Sequence, residues 1–416
     1  MGCFVKIAFV YLNGEKNVGR GAGYIASVIL NAGHNLTFFD TVYEDLHQVH
    51  SKILADNYDI ILISASTLFY KQAIELVTAL KAFRNTPILL GGAHTTILRE
   101  KVLEECPNID YICVGEGEEF ILEFLNKYGT EELFSISNLG YRDNKGVIRI
   151  NPIRECTDLN ILPKFRYDLF SPNSVIINSP LPGFCYVFST RGCPYSCSYC
   201  CNSYYLTMYK KGFLRKRSVD SVIEELQYLK NNYPVKIFYF GDEMILFDKE
   251  YVFELFNRVK NEIGLPYGCM ARVESIDEKI VELFRNTGCK YVGMGIECGD
   301  EQFRKKFLNR YMSNEQIIAA FQSLRTIPGI MLTSYNMYKY PFSYDDKLKK
   351  QTLELNNIIK PDIMQMSIFF PFPGTKLYDY CVANNLIDHN KINNLHDYFS
   401  SSVLIDNIPN FEMGVV

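Results

Sequence analysis

Tryptophan is absent from this 416-residue chain, so its aromatic packing falls on 29 tyrosines and 29 phenylalanines. An excess of charge is missing too: 43 Lys and Arg stand against 47 Asp and Glu, a formal net charge of −4. That balance leaves no electrostatic footprint for nucleic acid or for an anionic membrane surface. The short basic runs, Lys210-Lys211 and Lys347 with Lys349-Lys350, read as solvated helix faces. No apolar stretch is long enough to span a bilayer. The first residues lack a charged region followed by a cleavage site, and Lys6 stands where a myristoylation signal has Ser or Thr. A cytoplasmic globular protein with two or three cores is therefore expected.

What is present in quantity is cysteine, thirteen in all. In a cytoplasmic chain they argue against a disulfide framework and for metal or redox chemistry. Cys106, Cys113, Cys185, Cys269 and Cys289 are scattered singly and read as small buried hydrophobes. One group is clustered, in Arg191-Gly192-Cys193-Pro194-Tyr195-Ser196-Cys197-Ser198-Tyr199-Cys200-Cys201-Asn202. Cys193, Cys197 and Cys200 are three thiolates on one loop, suited to wrap a cubane iron–sulfur cluster. Three ligands for four irons leave one iron open to a substrate's amine and carboxylate. A closed zinc site needs four ligands, commonly in two pairs, and no second pair follows; Cys201 as a fourth ligand would have to turn toward the same metal as its neighbour.

Along the chain, apolar runs alternate with amphipathic segments, which predicts βαβ units and mostly parallel sheets. Strands are expected at Val5–Tyr11, Leu36–Phe39, Ile60–Ser64, Pro87–Leu90 and Tyr111–Val114, with helices at Gly23–Ala32 and Lys71–Phe83. This is an α/β, doubly wound, Rossmann-like domain over residues 1–130, whose ligand belongs at the carboxyl ends of the strands. Residues 131–182 read as a linker containing a hairpin, turned at Asp143-Asn144-Lys145-Gly146. From 183 to 380 the rhythm resumes with six strands, at Cys185–Ser189, Lys236–Phe240, Tyr267–Val273, Lys290–Ile296, Ile330–Met337 and Ile363–Phe370. Six βα units make a partial (β/α)6 barrel of the TIM type, not a closed ring of eight. Ser313 with Gln316 is a candidate capping box, and residues 381–416 form a short tail.

The Cys193-x3-Cys197-x2-Cys200 motif resembles that of the radical S-adenosylmethionine (SAM) enzymes, with Tyr199 as the aromatic that packs near the adenine. Several downstream segments are similar to the same family. Phe240-Gly241-Asp242-Glu243 resembles its acidic turn toward the SAM amino group, and Ala271-Arg272-Val273 its third-strand arginine. Gly295-Ile296-Glu297-Cys298-Gly299 resembles its ribose-contacting strand; Asn309-Arg310 and Pro371-Phe372-Pro373-Gly374-Thr375 follow in the family's order. Each alone has a plainer reading, as a helix cap, a buried ion pair or an ordinary turn. One turn departs from the pattern: Lys339-Tyr340-Pro341 stands where the family has a glycine-rich segment, and a lysine there suits an acidic substrate.

The N-terminal part is similar to the B12-binding domain that one subgroup of this family carries. The resemblance rests on Gly21-Ala22-Gly23-Tyr24-Ile25-Ala26, on Gly91-Gly92-Ala93-His94-Thr95-Thr96 and on Gly115-Glu116-Gly117-Glu118. It implies cobalamin contacts at Ser64, Thr67, Gly91, Gly92, His94, Gly115, Glu116 and Gly117. An Asp-x-His-x-x-Gly motif is missing, since Thr41-Val42-Tyr43-Glu44 follow Asp40, so no histidine of that motif ligates cobalt. The implied cofactors are a [4Fe–4S] cluster, SAM and cobalamin. The implied partners are a small-molecule substrate and a reductant such as flavodoxin or ferredoxin. The implied reaction is methylation of an unactivated carbon. Two alternatives stay open: a radical SAM cyclisation, rearrangement or oxidation with an auxiliary or empty B12 domain, and a non-catalytic sensor.

Overall fold

A computed structural model describes residues 4–178, 180–342, 344–388, 390–391 and 402–405. The chain divides into two compact units, Met1–Val175 and Ile176–Val416.

The first unit is built on the strands β1 (Lys6–Tyr11), β2 (Asn35–Asp40), β3 (Ile60–Ser64), β4 (Ile88–Gly91), β5 (Tyr111–Cys113), β6 (Leu139–Arg142) and β7 (Ile148–Ile150). Their order in the sheet is β2-β1-β3-β4-β5-β6-β7, parallel through β5. Both faces are covered, which is why these strands read as continuous apolar runs. Along β1, Ala8 and Val10 join one core while Ile7 and Phe9 join the other, as the two-residue period of a strand requires. Each fully buried Val, Ile or Phe side chain of this kind contributes about 1.5–3 kcal/mol.

The hairpin departs from the sequence expectation. Residues 139–150 are not part of a linker; β6 pairs antiparallel with β5 and β7 with β6, extending the first sheet. The following stretch docks on the same unit. Phe165 lies over the helix Arg20–Asn31 at Gly23, where a Cβ would come within 2.1 Å of its ring. Arg166 N–H donates to Ser27 Oγ at 3.0 Å, so the packing changes at 175/176 and not at 130.

The second unit carries β8 (Phe184–Val187), a small antiparallel ribbon of β9 (Thr190–Arg191) and β10 (Arg215–Lys216), then β11 (Ile237–Phe240), β12 (Tyr267–Ala271), β13 (Cys289–Glu297), β14 (Met331–Tyr338) and β15 (Ile363–Ile368). Its six-stranded sheet is parallel throughout, in the order β15-β14-β13-β12-β11-β8. Sequence order and spatial order agree, as in a barrel that stops short of closing. Phe184, Tyr239 and Tyr291 form part of one buried cluster. Six of the helices start where the sequence supplies an acceptor: the side chains of Ser218, Asp248, Asp277, Asp300, Ser313 and Thr375 each take a backbone N–H, and Ser313 with Gln316 completes the capping box. A cap of this kind contributes typically about 1 kcal/mol. In the tail, Leu386 and Leu404 are buried in one cluster with Cys298 and Phe303; residues 392–401 and 406–416 lie outside the described set.

Candidate active site

The three cysteines lie on the loop that follows β8 and the short β9, at the carboxyl end of the second sheet, and one tight glycine and three attachments fix that loop. Gly192 has φ 98°, and a Cβ there would stand 2.3 Å from the Phe213 carbonyl oxygen, so only glycine fits. Ser198 N–H donates to the Leu308 carbonyl at 3.2 Å and its hydroxyl to the Phe307 carbonyl. Asn309 Nδ2 donates to the Ser196 carbonyl at 2.8 Å and to its hydroxyl at 2.9 Å. Leu377 N–H, in the helix that follows the Pro-Gly-Thr turn, donates to the Ser198 carbonyl at 3.0 Å. Two of the downstream segments singled out from sequence, Asn309-Arg310 and the Pro-Gly-Thr turn with its helix, thus meet the cysteine loop through its backbone.

Asp242 is part of the same scaffold. It is fully buried, and its Oδ1 accepts from Ser189 N–H at 2.8 Å, Ser189 Oγ at 3.2 Å, Thr190 Oγ1 at 2.6 Å and Thr190 N–H. The resemblance assigned it to the SAM amine; the structure ties that oxygen to the segment entering the cysteine loop. Glu243 is its half-buried neighbour on the same turn.

Around the thiols the electrostatics are strong. Burial pushes Cys193 up to about 11, with the charges of Cys200 and Cys197 adding to it. A hydrogen bond with Cys201, together with burial, drives Cys200 well above the ordinary thiol value. Two arginines face these groups. Arg272 is 8% exposed; its Nη1 lies 3.5 Å from Cys197 Sγ, its guanidinium sits 3.6 Å from the Tyr195 ring centre, and Glu274 holds it at 2.6 and 3.4 Å. Arg310 donates to the Gly295 carbonyl at 2.6 Å, to Tyr199 Oη at 3.2 Å and to Glu297 Oε1 at 3.4 Å. Burial opposes the charge on Arg310, yet Tyr199 and Glu297 hold its pKa above the usual guanidinium value. Burial raises Glu297 in turn, and Arg310 pulls the other way. Glu297 has φ 68° at a register shift of β13 against β14, a strained position for a non-glycine residue.

Among the described residues no three His, Cys, Asp or Glu side chains converge on a single metal ion. Cys193 nonetheless lies within electrostatic reach of Cys200 and Cys197, which suits a multi-iron body that spreads its ligands around itself. Sequence reasoning missed Tyr195, Glu274 and the Ser189–Thr190 pair. Only Glu274 carried a local signal, a carboxylate two residues after a buried arginine.

In the first unit the expected residues also gather at strand ends. Ser64 closes β3, and Thr67 opens a short turn after it. Gly92, at φ 107°, passes so close to Ala65 that a Cβ would lie 2.4 Å from its carbonyl oxygen, whereas Gly91 keeps ordinary contacts. Gly115, at φ 98°, donates its N–H to Thr96 Oγ1 at 3.0 Å. Gly117 precedes the helix Glu118–Lys127 and packs under Ile25. Glu116 is turned to a structural task, Oε2 accepting from Thr157 N–H at 2.9 Å. His94 is 5% exposed and stacks on Tyr70 at 3.9 Å, and neither ring nitrogen finds a hydrogen-bond partner among the described residues. Burial lowers its pKa to about 4. A buried imidazole with both nitrogens unsatisfied, beside a glycine-shaped strand end, fits a polar ligand bound there. Lys339 is exposed at φ 57°, its N–H donating to Asp345 Oδ2 at 2.9 Å.

The Radical SAM superfamily is matched over residues 187–350 and the B12 binding domain over residues 15–125. A protein of Pyrococcus horikoshii named as an uncharacterized methyltransferase is 29% identical over 373 residues, covering 88% of this chain and 79% of its own. The anaerobic magnesium-protoporphyrin IX monomethyl ester cyclase of Rubrivivax gelatinosus is 26% identical over 401 residues, 90% and 69% of the two chains. Among solved structures, the radical SAM methyltransferase TsrM of Kitasatospora setae, with cobalamin and a [4Fe–4S] cluster bound, superposes with a TM-score of 0.70 at 14% identity, covering 90% of this chain and 74% of that one. The cobalamin-dependent radical enzyme OxsB gives 0.74 at 16% identity, covering 93% and 62%. At such identities these two structures speak to the fold alone. With both family matches in the expected order, the chain carries a B12-binding domain ahead of a radical SAM domain.

Proposed function

We propose that this protein is a cobalamin-dependent radical SAM methyltransferase acting on an unactivated carbon of a small-molecule substrate. The observation that carries the radical half is the x3–x2 cysteine loop at the strand ends of an open parallel barrel, with a buried arginine beside one of its thiols. The methyl half is supported by the methyltransferases among its relatives, the Pyrococcus protein and the bacteriochlorophyllide d C-12(1)-methyltransferase of Chlorobaculum tepidum, 24% identical over 331 residues. When bound, the cluster supplies the electron that cleaves SAM and cobalamin the methyl carrier.

Cys193, Cys197 and Cys200 would hold the cluster, which with three protein ligands would keep an iron available to SAM. Glu243, Glu297 and Tyr199 face the cofactor as acceptor, ribose contact and aromatic wall, while Arg310 fixes the last two. Ser64, Thr67, Gly91, Gly92, Gly115, Gly117 and His94 form the cobalamin cradle, with His94 as its polar contact. The electron comes from a low-potential donor such as flavodoxin or ferredoxin. No described helix is long and apolar enough to cross a membrane.

The test is anaerobic reconstitution with iron, sulfide and hydroxocobalamin, then desalting and measurement of bound iron and cobalt, followed by isotope-labelled SAM with candidate substrates. A cluster, stoichiometric cobalt and label in the product support the proposal. A second reading, a non-methylating cyclisation or oxidation, is favoured by the cyclase relatives; a cluster without retained cobalt, and an altered but unlabelled product, would establish it instead.

A further inference from the structure

The family resemblance makes Arg272 a SAM contact, but its surroundings point elsewhere. Its Nη1 stands 3.5 Å from Cys197 Sγ, the most buried of the three cluster thiols, at 6% exposed. Its other polar edge is held by both carboxylate oxygens of Glu274, at 2.6 and 3.4 Å, and one face is covered by Tyr195 at 3.6 Å. Tyr195 lies between Cys193 and Cys197 in the loop itself. The guanidinium is therefore clamped from two sides with a donor directed at a ligating sulfur. Such rigidity suits arginine, whose planar fork bonds a carboxylate with one edge while its face stacks on an aromatic. Of the other buried arginines, Arg310 is committed to Tyr199, Glu297 and Gly295, and Arg304 to the Cys298 and Met312 carbonyls and Asn314, so Arg272 is the cation placed on the sulfur.

We propose that Arg272 is a positioning residue that sets the reduction potential of the cluster through Cys197, with Glu274 and Tyr195 holding it in place. The inference rests on the cluster assignment above. When the cluster takes one electron from a low-potential donor, no bond forms or breaks, and the cluster with its three thiolates gains one unit of negative charge. A fixed cation and a hydrogen bond at a ligand sulfur stabilise that reduced state more than the oxidised one, and both are known levers on such potentials. Glu274 tempers the effect by partly neutralising the cation. Two substitutions should therefore move the potential in opposite directions: Arg272→Met removes the cation and makes reduction harder, and Glu274→Gln unmasks it and makes reduction easier.

The experiment is an anaerobic redox titration of the reconstituted full-length protein, with dithionite and mediators, following the reduced cluster by electron paramagnetic resonance without SAM and then with it. For Arg272→Met without SAM, the reduced-to-oxidised ratio at fixed poise is expected to fall about tenfold, equivalent to about 59 mV for a one-electron couple. Glu274→Gln should shift the ratio the other way by a smaller factor, and Arg272→Lys should fall between wild type and Arg272→Met. Iron and sulfide content report whether each variant holds its cluster. If Arg272→Met does not load, Glu274→Gln and Arg272→Lys still decide the sign. SAM-free potentials equal to wild type, with only SAM affinity reduced, would return Arg272 to the role of a SAM contact and overturn the proposal. Failure of the wild-type protein to form a cluster would overturn this inference together with the assignment beneath it.

Discussion

The strand ends of the two units solve the same problem in different ways. In the second unit the polar groups are spent on one another: Asp242 on Ser189 and Thr190, Arg272 on Glu274 and Cys197, Arg310 on Glu297 and Tyr199. In the first unit the strand ends are shaped by bare backbone at Gly92 and Gly115, and the buried His94 keeps both nitrogens unsatisfied among the described residues. A site where charge changes during the reaction is better served by dipoles and ions fixed in advance, because reorganising them costs barrier height. A site that only holds a large cofactor needs room for close backbone approach and a few polar contacts.

That contrast can be broken experimentally, and the largest effect is expected at the thiols. Cys197→Ala should abolish cluster absorption and SAM cleavage while leaving cobalt retention at the wild-type level, measured on the same reconstituted sample. Equal loss of cobalt would show that the two sites are not built independently. Next come the two glycines. Gly192→Ala and Gly92→Ala each force a Cβ to within 2.3–2.4 Å of a backbone oxygen. Each also holds a positive φ, of 98° and 107°, and the backbone strain alone should cost about 1–3 kcal/mol. Thermal melts should show comparable losses, but Gly192→Ala should lower iron content and Gly92→Ala cobalt content. A third test is Asp242→Asn, which keeps the shape but replaces a charged acceptor with four donors by a neutral one. It should cost about 1.5–3 kcal/mol per charge-assisted bond at most, weaken cluster loading and leave SAM affinity per loaded cluster unchanged.

The smallest effect is a pH dependence at His94. Its folded pKa, about 4, lies below the ordinary value of 6.5, so the unfolded chain binds the proton more readily. Stability should therefore be lost as pH falls from 6.5 toward 4, by about 3 kcal/mol at most, and level off below that window. His94→Gln should flatten this part of the profile in denaturant titrations. A ligand that takes up the ring nitrogens should reshape it, and an identical profile with and without hydroxocobalamin would argue against His94 as a contact.

Much of this was legible in the residues because local chemistry carried it. Buried parallel strands announce themselves as apolar runs, and β3, β11 and β15 fall within a residue or two of the expected segments. The helix cap at Ser313 follows from a side chain that bonds its own backbone a few residues on. Three cysteines at x3 and x2 on one loop imply a multi-iron ligand set, because the spacing is short enough for the loop to bring them together whatever the rest of the chain does. The opening glycines are a partial case: Gly23 was legible as a glycine with a purpose, but that purpose is to receive Phe165, 142 residues later in the chain.

What only the tertiary structure decided are the partners that lie far apart in sequence. The hairpin of β6 and β7 became part of the first sheet because β5 offered an unpaired edge, and an unmet row of backbone groups seeks a strand whatever its position in the chain. Glu116 turned to Thr157, 41 residues away, and Asp242 to Ser189 and Thr190, about fifty. Arg272 reached Cys197 across 75 residues. A sequence records which groups carry charge and which segments bury themselves. Which charge meets which partner depends on how strands order themselves in a sheet, and that is settled only when the whole core has formed.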